Sequence, residues 1–327
     1  MTGEVLAIKD LSCDFLTVEG IVYAVGGVNL SIRRGEIHGL VGESGCGKSV
    51  SSRAIMGLLD KKHSRVRGQA WFDGKDLLAL DEKELRAIRG RRISMIFQDP
   101  QNSLSPLERA GKQIEEAMAN HFALPRKELR RRTAILLERV GLHRDTARQY
   151  PFELSGGMQQ RVMIAQAISC DPELLIADEP TTAIDVTIQA QVLNLLKTLR
   201  QELSLSVLLI THNFAVVAET CDRVSVMYAG HIVETASARD LIKNAVHPYS
   251  KALIDCIPRG RSGAGMEPLP VIPGFPPRLY DPPPGCPFAP RCNRAGPACH
   301  TLPAGVDRGN GHWVACHYPL PAGKEGR

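Results

Sequence analysis

The sequence predicts an α/β protein with a parallel-sheet core, an antiparallel β segment ahead of it, an α-helical insertion and a Pro/Cys-rich C-terminal extension. Three observations point there. The octet Gly42-Glu43-Ser44-Gly45-Cys46-Gly47-Lys48-Ser49 reads G-x-x-x-x-G-K-S and lies between an apolar, strand-like run, Ile37 to Val41, and a helix-like run, Val50 to Leu59. Further apolar runs, each closed by a polar tip, recur at Ile93 to Phe97, Leu174 to Ala177 and Val207 to Ile210. After residue 257 the composition shifts, with 15 of the 22 prolines lying from Pro258 onward.

The chain has 327 residues, 43% hydrophobic and 23% charged, enough to bury a sizeable core in more than one compact unit. A net charge of +5 gives no argument for nucleic acid as a partner. The basic clusters Arg86 to Arg92 and Arg126 to Arg132 read first as solvated helix faces. No apolar run reaches the roughly 18 residues of a spanning helix, and Met1-Thr2-Gly3-Glu4 has no basic region before an apolar stretch, so a cytoplasmic location is expected.

From residue 5 to 37, short apolar segments alternate with turns at Gly20, Gly26-Gly27 and Gly35-Glu36, which predicts antiparallel strands. Tyr23 lies there as a flat partner for an adenine, with Phe15 the other candidate; a core or surface aromatic fits as well. Beyond the first helix, Ala70 to Phe72 predicts a strand before the Asp73-Gly74 turn, and Glu82 to Arg89 a helix. Between Leu107 and Tyr150, Ile114, Met118 and Phe122, then Leu129, Ile135, Leu136, Leu137 and Val140, recur near helical spacing among charges, which predicts an all-helical insertion. Val186 to Leu203 predicts a helix, Val224 to Ala229 and His231 to Glu234 a hairpin around Gly230, and helices follow near Ala238 to Lys243 and Tyr249 to Cys256. The proline-rich tail is expected to form neither regular helix nor central strand and to be held by something other than a repeating ladder.

The chemistry sits at the strand tips. Glycines 42, 45 and 47 let the loop turn its N–H groups inward, and the following helix offers its positive end to an anion. Lys48 then suits the β- and γ-phosphates of a nucleotide, and the Ser49 hydroxyl suits Mg²⁺. Ser155-Gly156-Gly157 opens a second helix, running to about Cys170, where a hydroxyl and N–H groups make either an anion site or a plain cap. The run ending in Asp178-Glu179 offers one carboxylate to Mg²⁺ and another to a water molecule. With Gln98 and His212, four strands end in groups that suit a nucleotide, at the edge where open parallel sheets bind ligands.

Cys286, Cys292, Cys299 and Cys316 crowd the last 42 residues with gaps of x5, x6 and x16. In a reducing compartment such a cluster suggests metal before disulfides. The gaps are wider than structural zinc usually has, His300, His312 and His317 are alternative ligands, and a metal-free tail stays open.

These motifs resemble, in order and spacing, an ABC transporter ATP-binding subunit: Walker A at Gly42 to Ser49, the Q-loop Gln98, the signature Leu154-Ser155-Gly156-Gly157, Walker B at Leu174 to Asp178 with Glu179, the D-loop Ala183-Ile184-Asp185 and the switch His212. The signature separates it from other P-loop proteins. Val41 to Gly45, Met95 to Pro100, Ile176 to Thr182, His247-Pro248-Tyr249 and the tail motifs Gly285-Cys286, Arg291-Cys292 and Cys316 to Leu320 look like the dipeptide/oligopeptide importer ATPases of the OppD/DppD type.

The resemblance implies a P-loop NTPase (RecA-like) core in an ABC ATPase domain over residues 1–256, with a helical subdomain at about 99–170 and an extension over 257–327. It implies ATP hydrolysis powering import of di- or oligopeptides. Gly42, Glu43, Ser44, Gly45, Cys46, Gly47, Lys48, Ser49 and Val50 would bind ATP with Tyr23. Glu179, His212, Gln98 and Lys48 would be catalytic, and Ser49, Gln98 and Asp178 would serve Mg²⁺. Ser155, Gly156, Gly157 and Asp185 would complete the site of a second ATPase subunit, identical or related. Two membrane permeases, receiving Gln98's signal beside the helical insertion, and an extracytoplasmic binding protein would complete the system, at the cytoplasmic face of the inner membrane. At the four cysteines the resemblance implies a [4Fe-4S] cluster, with zinc as the alternative.

Three positions depart from the family pattern: Asn213 stands where Asp usually follows the switch histidine, Ile184 where Leu is common, and Cys46 where Ser or Ala is frequent. One alternative is an ABC importer ATPase for another small solute, and the other is a soluble ABC ATPase acting in nucleic-acid repair or translation. The latter is disfavoured because the chain has one phosphate loop and no long coiled coil before the signature.

Overall fold

The computed structural model describes residues 3–181, 185–257 and 270–321. In chain order the principal elements are strands β1 (Glu4–Thr17), β2 (Gly20–Arg33) and β3 (Ile37–Val41), helix α1 (Lys48–Ile55), β4 (Ser64–Phe72), β5 (Lys75–Asp76), α2 (Glu82–Ile88), β6 (Ile93–Ile96), α3 (Pro100–Ser103), α4 (Ala110–Ala119), α5 (Arg126–Arg139), α6 (Gly156–Ala167), β7 (Leu174–Asp178), α7 (Val186–Leu203), β8 (Ser206–Thr211), α8 (Phe214–Thr220), β9 (Arg223–Tyr228), β10 (His231–Ser237), α9 (Ala238–Asn244), α10 (Pro248–Asp255), β11 (Gly305–Asp307) and β12 (Trp313–Ala315). They divide between two compact units. One comprises Met1–Leu6, Ile32–Ile37 and Ala79–Ile210, the other Ala7–Ser31, His38–Leu78 and Thr211–Arg327.

In the first unit β6, β7 and β8 are parallel, Ile93 to Ile96 pairing with Leu174 to Ala177, and Leu174 to Asp178 with Ser206 to Ile210. Every residue of β7 and β8 is buried, which is why both read as unbroken apolar runs: a parallel strand is covered on both faces. Parallel pairing puts the carboxyl ends of these strands at one edge, so register alone carries Gln98 and Asp178-Glu179 to neighbouring positions.

The helical insertion forms as its spacing predicts. α4 buries Ala110, Ile114 and Met118, and α5 buries Leu129, Thr133, Leu136 and Leu137. Ile135 is the exception. It lies off that stripe and is 43% exposed. Phe122 is half-buried because Arg91 and Arg132 cover its ring at 4.2 and 5.9 Å. In the basic cluster on α5, Arg131 and Arg132 both reach back to Glu128 at helical spacing.

In the second unit β3 and β9 are parallel, and β9 turns through Ala229-Gly230 into antiparallel β10. The strands β2, β1, β4 and β5 adjoin in that order, and the two-residue link between β1 and β2 permits only antiparallel pairing. The unit's core joins Val224, Val226, Phe214, Leu241 and Ile254 to an aromatic triad, Tyr228, Tyr249 and Phe288, with ring centroids 4.6 to 5.2 Å apart.

Phe288 belongs to the tail, and the tail is better integrated than its prolines suggest. β12 pairs antiparallel with β10 (Glu234 with Val314, Thr235 with Trp313), and β11 pairs with β12. The expectation of no ladder is therefore corrected: Gly305–Asp307 and Trp313–Ala315 contain no proline, and three residues suffice to extend a sheet.

Candidate functional site

The residues singled out by the sequence fall in both units. In the second unit, fully buried β3 delivers the chain into the loop, and α1 begins at Lys48 with Gly47 as its left-handed N-cap. Lys48 is buried at 4% exposure. Its ammonium donates to the carbonyls of Gly42 at 2.9 Å and Glu43 at 2.8 Å and approaches Cys46 Sγ at 3.6 Å. A buried cation is thus held by loop carbonyls at the N-terminus of a helix, an arrangement into which phosphate oxygens fit.

The loop is braced from behind. Gly230 N–H donates to Cys46 carbonyl at 2.8 Å, and Cys46 N–H to Glu43 carbonyl at 3.4 Å. The Cys46 side chain is buried, and burial raises its thiol pKa, so only its backbone is available to a nucleotide. Ser44 and Gly45 are exposed, Ser49 and Val50 half-buried. Glu43 is engaged on every side. Its N–H donates to Tyr249 Oη at 3.0 Å, and its carboxylate receives Arg291 at 2.7 and 2.9 Å. Tyr23, on β2, is 43% exposed, and its N–H donates to Leu279 carbonyl at 2.9 Å. Phe15 is half-buried. His212 is exposed at the end of β8, and Asn213 caps α8 by accepting the Ala215 N–H at 3.0 Å.

In the first unit Asp178 and Glu179 are buried at the end of β7. Glu179 adopts a left-handed φ of 47°, unusual for a non-glycine, fixed by its N–H bonding Ile210 carbonyl at 2.9 Å. Gln98 Nε2 donates to Glu179 Oε2 at 2.9 Å. That leaves the Gln98 amide oxygen as a hard donor suited, with the Asp178 carboxylate, to a divalent cation. Ser155 is the N-cap of α6, accepting Met158 N–H at 3.4 Å, and is exposed beside Gly156. Gly157 is buried where an added Cβ would lie 2.8 Å from Ile188, so the signature helix seats closely on α7. Asp185 is exposed before α7; Ala183 and Ile184 lie outside the described residues.

The four tail thiols share one neighbourhood. Burial raises the pKa of Cys286, Cys292 and Cys316, the last to about 11, and for Cys316 each of the other three adds to the rise. Cys286 N–H donates to Cys299 carbonyl at 2.9 Å. The metal centre expected there is not drawn together: among the described residues, no group of three or more His, Cys, Asp or Glu side chains is placed to hold a metal ion. The donor chemistry of the four thiols suits a cluster; their present arrangement does not form one.

Comparison with known proteins bears directly on these motifs. The family described as ABC transporter matches residues 25–182, and the oligopeptide/dipeptide transporter C-terminal region matches residues 233–299. A probable peptide ABC transporter ATP-binding protein of Sinorhizobium fredii is 48% identical, covering 95% of this chain and 94% of that protein. The dipeptide transport ATP-binding protein DppD of Bacillus subtilis is 46% identical, over 96% of this chain and 94% of its own. The chain belongs to the ABC transporter ATP-binding family, in its oligopeptide/dipeptide branch. The oligopeptide transport ATP-binding protein OppD of Escherichia coli is likewise 46% identical, over 96% of this chain and 93% of its own. The dimeric post-hydrolysis structure of the cassette MJ0796 with ADP and Pi aligns at TM-score 0.65 and 31% identity, covering 72% of this chain and 99% of that one.

This ABC subunit shows what sequence spacing missed. Arg291 and Tyr249 support the phosphate loop through Glu43, and the signal for them was that the tail and His247-Pro248-Tyr249 resemble the family. Among the described residues, no helix is long and apolar enough to cross a membrane.

Proposed function

We propose that this chain is the ATP-hydrolysing subunit that powers import of dipeptides or oligopeptides through separate membrane permeases. The observation that carries the reading is the union, in one chain, of a phosphate loop with buried Lys48 and the oligopeptide/dipeptide C-terminal region. Lys48 would exchange the Gly42 and Glu43 carbonyls for β- and γ-phosphate oxygens, which carry more negative charge. Gly42 to Val50 supply the cradle, and exposed Tyr23 the stacking face for the adenine. Ser49, Gln98 and Asp178 would hold Mg²⁺, which when bound neutralises charge on the phosphates.

Glu179 accepts a hydrogen bond from Gln98 and is the group to polarise an attacking water, while His212 meets the γ-phosphate. Ser155, Gly156, Gly157 and Asp185 would complete the nucleotide site of a second ATPase subunit, identical or related. The exposed side chains of Phe97, Leu107 and Phe152 in the first unit support a membrane-permease contact beside the helical insertion. The domain division at 256/257, the extracytoplasmic binding protein and the cytoplasmic face of the inner membrane belong to the same proposal.

The finer reading of the tail, a [4Fe-4S] cluster or else zinc at Cys286, Cys292, Cys299 and Cys316, rests on donor chemistry. Iron and zinc analysis of anaerobically purified protein tests it, and metal-free protein retires it. The transport reading is tested by co-purification: recovery with multi-span membrane proteins supports it, whereas recovery with ribosomes or DNA favours the nucleic-acid class of ABC ATPase.

A further inference from the structure

Arg291 lies 248 positions from Glu43 in sequence, yet the two form a two-pronged ion pair, Nη1 to Oε2 at 2.7 Å and Nη2 to Oε1 at 2.9 Å. The Arg291 side chain is only 5% exposed and that of Glu43 25%. Its remaining directions are also used: Nε donates to Pro273 carbonyl at 2.9 Å, and Nη1 also reaches Tyr228 Oη at 3.3 Å. The chain just before it is anchored, because Phe288 is buried in the aromatic triad and the Cys286 N–H donates to the Cys299 carbonyl. The fork therefore meets Glu43 from a rigid support.

A buried ion pair contributes little net stability, because desolvation cancels most of the attraction, but a two-pronged Arg–carboxylate contact adds geometric specificity. Here the geometry fixed is that of the phosphate loop. Glu43's carboxylate is held by Arg291, its N–H by Tyr249, and its carbonyl accepts the Lys48 ammonium at 2.8 Å. Any swing of Glu43 would move the carbonyl on which Lys48 rests. The same tail segment supplies Leu279, whose carbonyl accepts the Tyr23 N–H.

We propose that Arg291 is a positioning residue for nucleotide binding, through which the C-terminal extension holds the phosphate loop in its binding-ready shape. The inference rests on the ATP-binding reading given above. It assigns the extension a task in the ATPase cycle: a change in the packing of residues 285–292 reaches Lys48 through one ion pair.

The test is a double-mutant cycle on the full-length chain, with ADP and ATP affinity measured by calorimetry and KM and kcat measured in the complex with its permeases. Arg291→Gln and Glu43→Gln are each expected to weaken nucleotide binding roughly tenfold, and the double variant to be no weaker than either alone. In the complex KM rises while kcat changes less, since Arg291 touches no reacting group. Arg291→Lys guards against misfolding: an ammonium cannot reproduce the fork, so a well-folded R291K with intermediate affinity supports the proposal. Arg308→Ala, an exposed tail change, should leave affinity unaltered.

Wild-type affinity in R291Q or in a folded R291K, additive losses in the double variant, or an equal loss in R308A would each overturn it while leaving ATP binding intact. Failure of the wild-type chain to bind any nucleotide would overturn both this inference and the reading beneath it.

Discussion

Gln98 donates its side-chain amide to Glu179 at 2.9 Å, joining the ends of two parallel strands, β6 and β7, by their side chains. Glu179 pays for this placement with a left-handed backbone, φ 47°, costing about 1–2 kcal/mol. Such strain persists where a side chain must point in one direction. Glu179→Gln removes the charge and keeps the shape, so ATP should still bind while turnover stops. A stable ATP-bound dimer on size-exclusion chromatography would show it; hydrolysis at the wild-type rate would refute the role.

Lys48 is buried against two carbonyls and a thiol rather than a carboxylate. Lys48→Ala should lower nucleotide affinity by roughly 10- to 150-fold, the worth of a charge-assisted hydrogen bond. Calorimetric titration with ADP measures this directly, and unchanged affinity would contradict the assignment.

Gly42 has φ 159°, and a Cβ there would stand 2.1 Å from Met227 carbonyl oxygen and 2.9 Å from Cys46 Sγ. Backbone cannot yield as a flexible side chain can. Gly42→Ala should therefore displace the loop from β9 and abolish binding, with a fall in melting temperature. At Gly45 an added Cβ meets nothing within 4 Å, so Gly45→Ala should cost only about 1 kcal/mol of left-handed backbone strain. Equal behaviour of the two variants would contradict the packing described.

His247 caps α10 by accepting the Tyr249 N–H at 3.1 Å, and burial pushes its pKa down from 6.5 to about 4, with Glu234 pulling the other way. The unfolded chain then binds the proton more readily than the folded one. The stability held by the neutral ring is complete above pH 6.5 and is lost as pH falls toward 4, at up to about 1.4 kcal/mol per pH unit. Asn retains a capping acceptor without the titration. Urea unfolding at pH 7 and pH 5 should show the wild type losing about 2 kcal/mol more than His247→Asn. Equal losses would contradict it.

Much of the fold was legible because its signals are local. β7 and β8 are continuous apolar runs, α5 presents a stripe at helical spacing, and G-x-x-x-x-G-K-S carries its own turn chemistry. Asn213, which stands where the family usually has Asp, accepts the Ala215 N–H as a helix cap. What escaped is non-local. Three-residue strands such as β11 and β12 are too short to show a period, and Ile135 shared the apolar composition of α5 without its face. No spacing reveals that Arg291 lies on Glu43, because the tertiary fold alone brings them together. The four cysteines were legible as a group, and the structure gathers them without arranging them around a metal.

The most direct test is ATP hydrolysis by the subunit assembled with its permeases in proteoliposomes, measured with and without a peptide-loaded binding protein. Hydrolysis stimulated by peptide in the wild type, and absent with Glu179→Gln although ATP remains bound, is the expected result. Hydrolysis that ignores peptide, or that survives Glu179→Gln, would contradict a peptide-import ATPase.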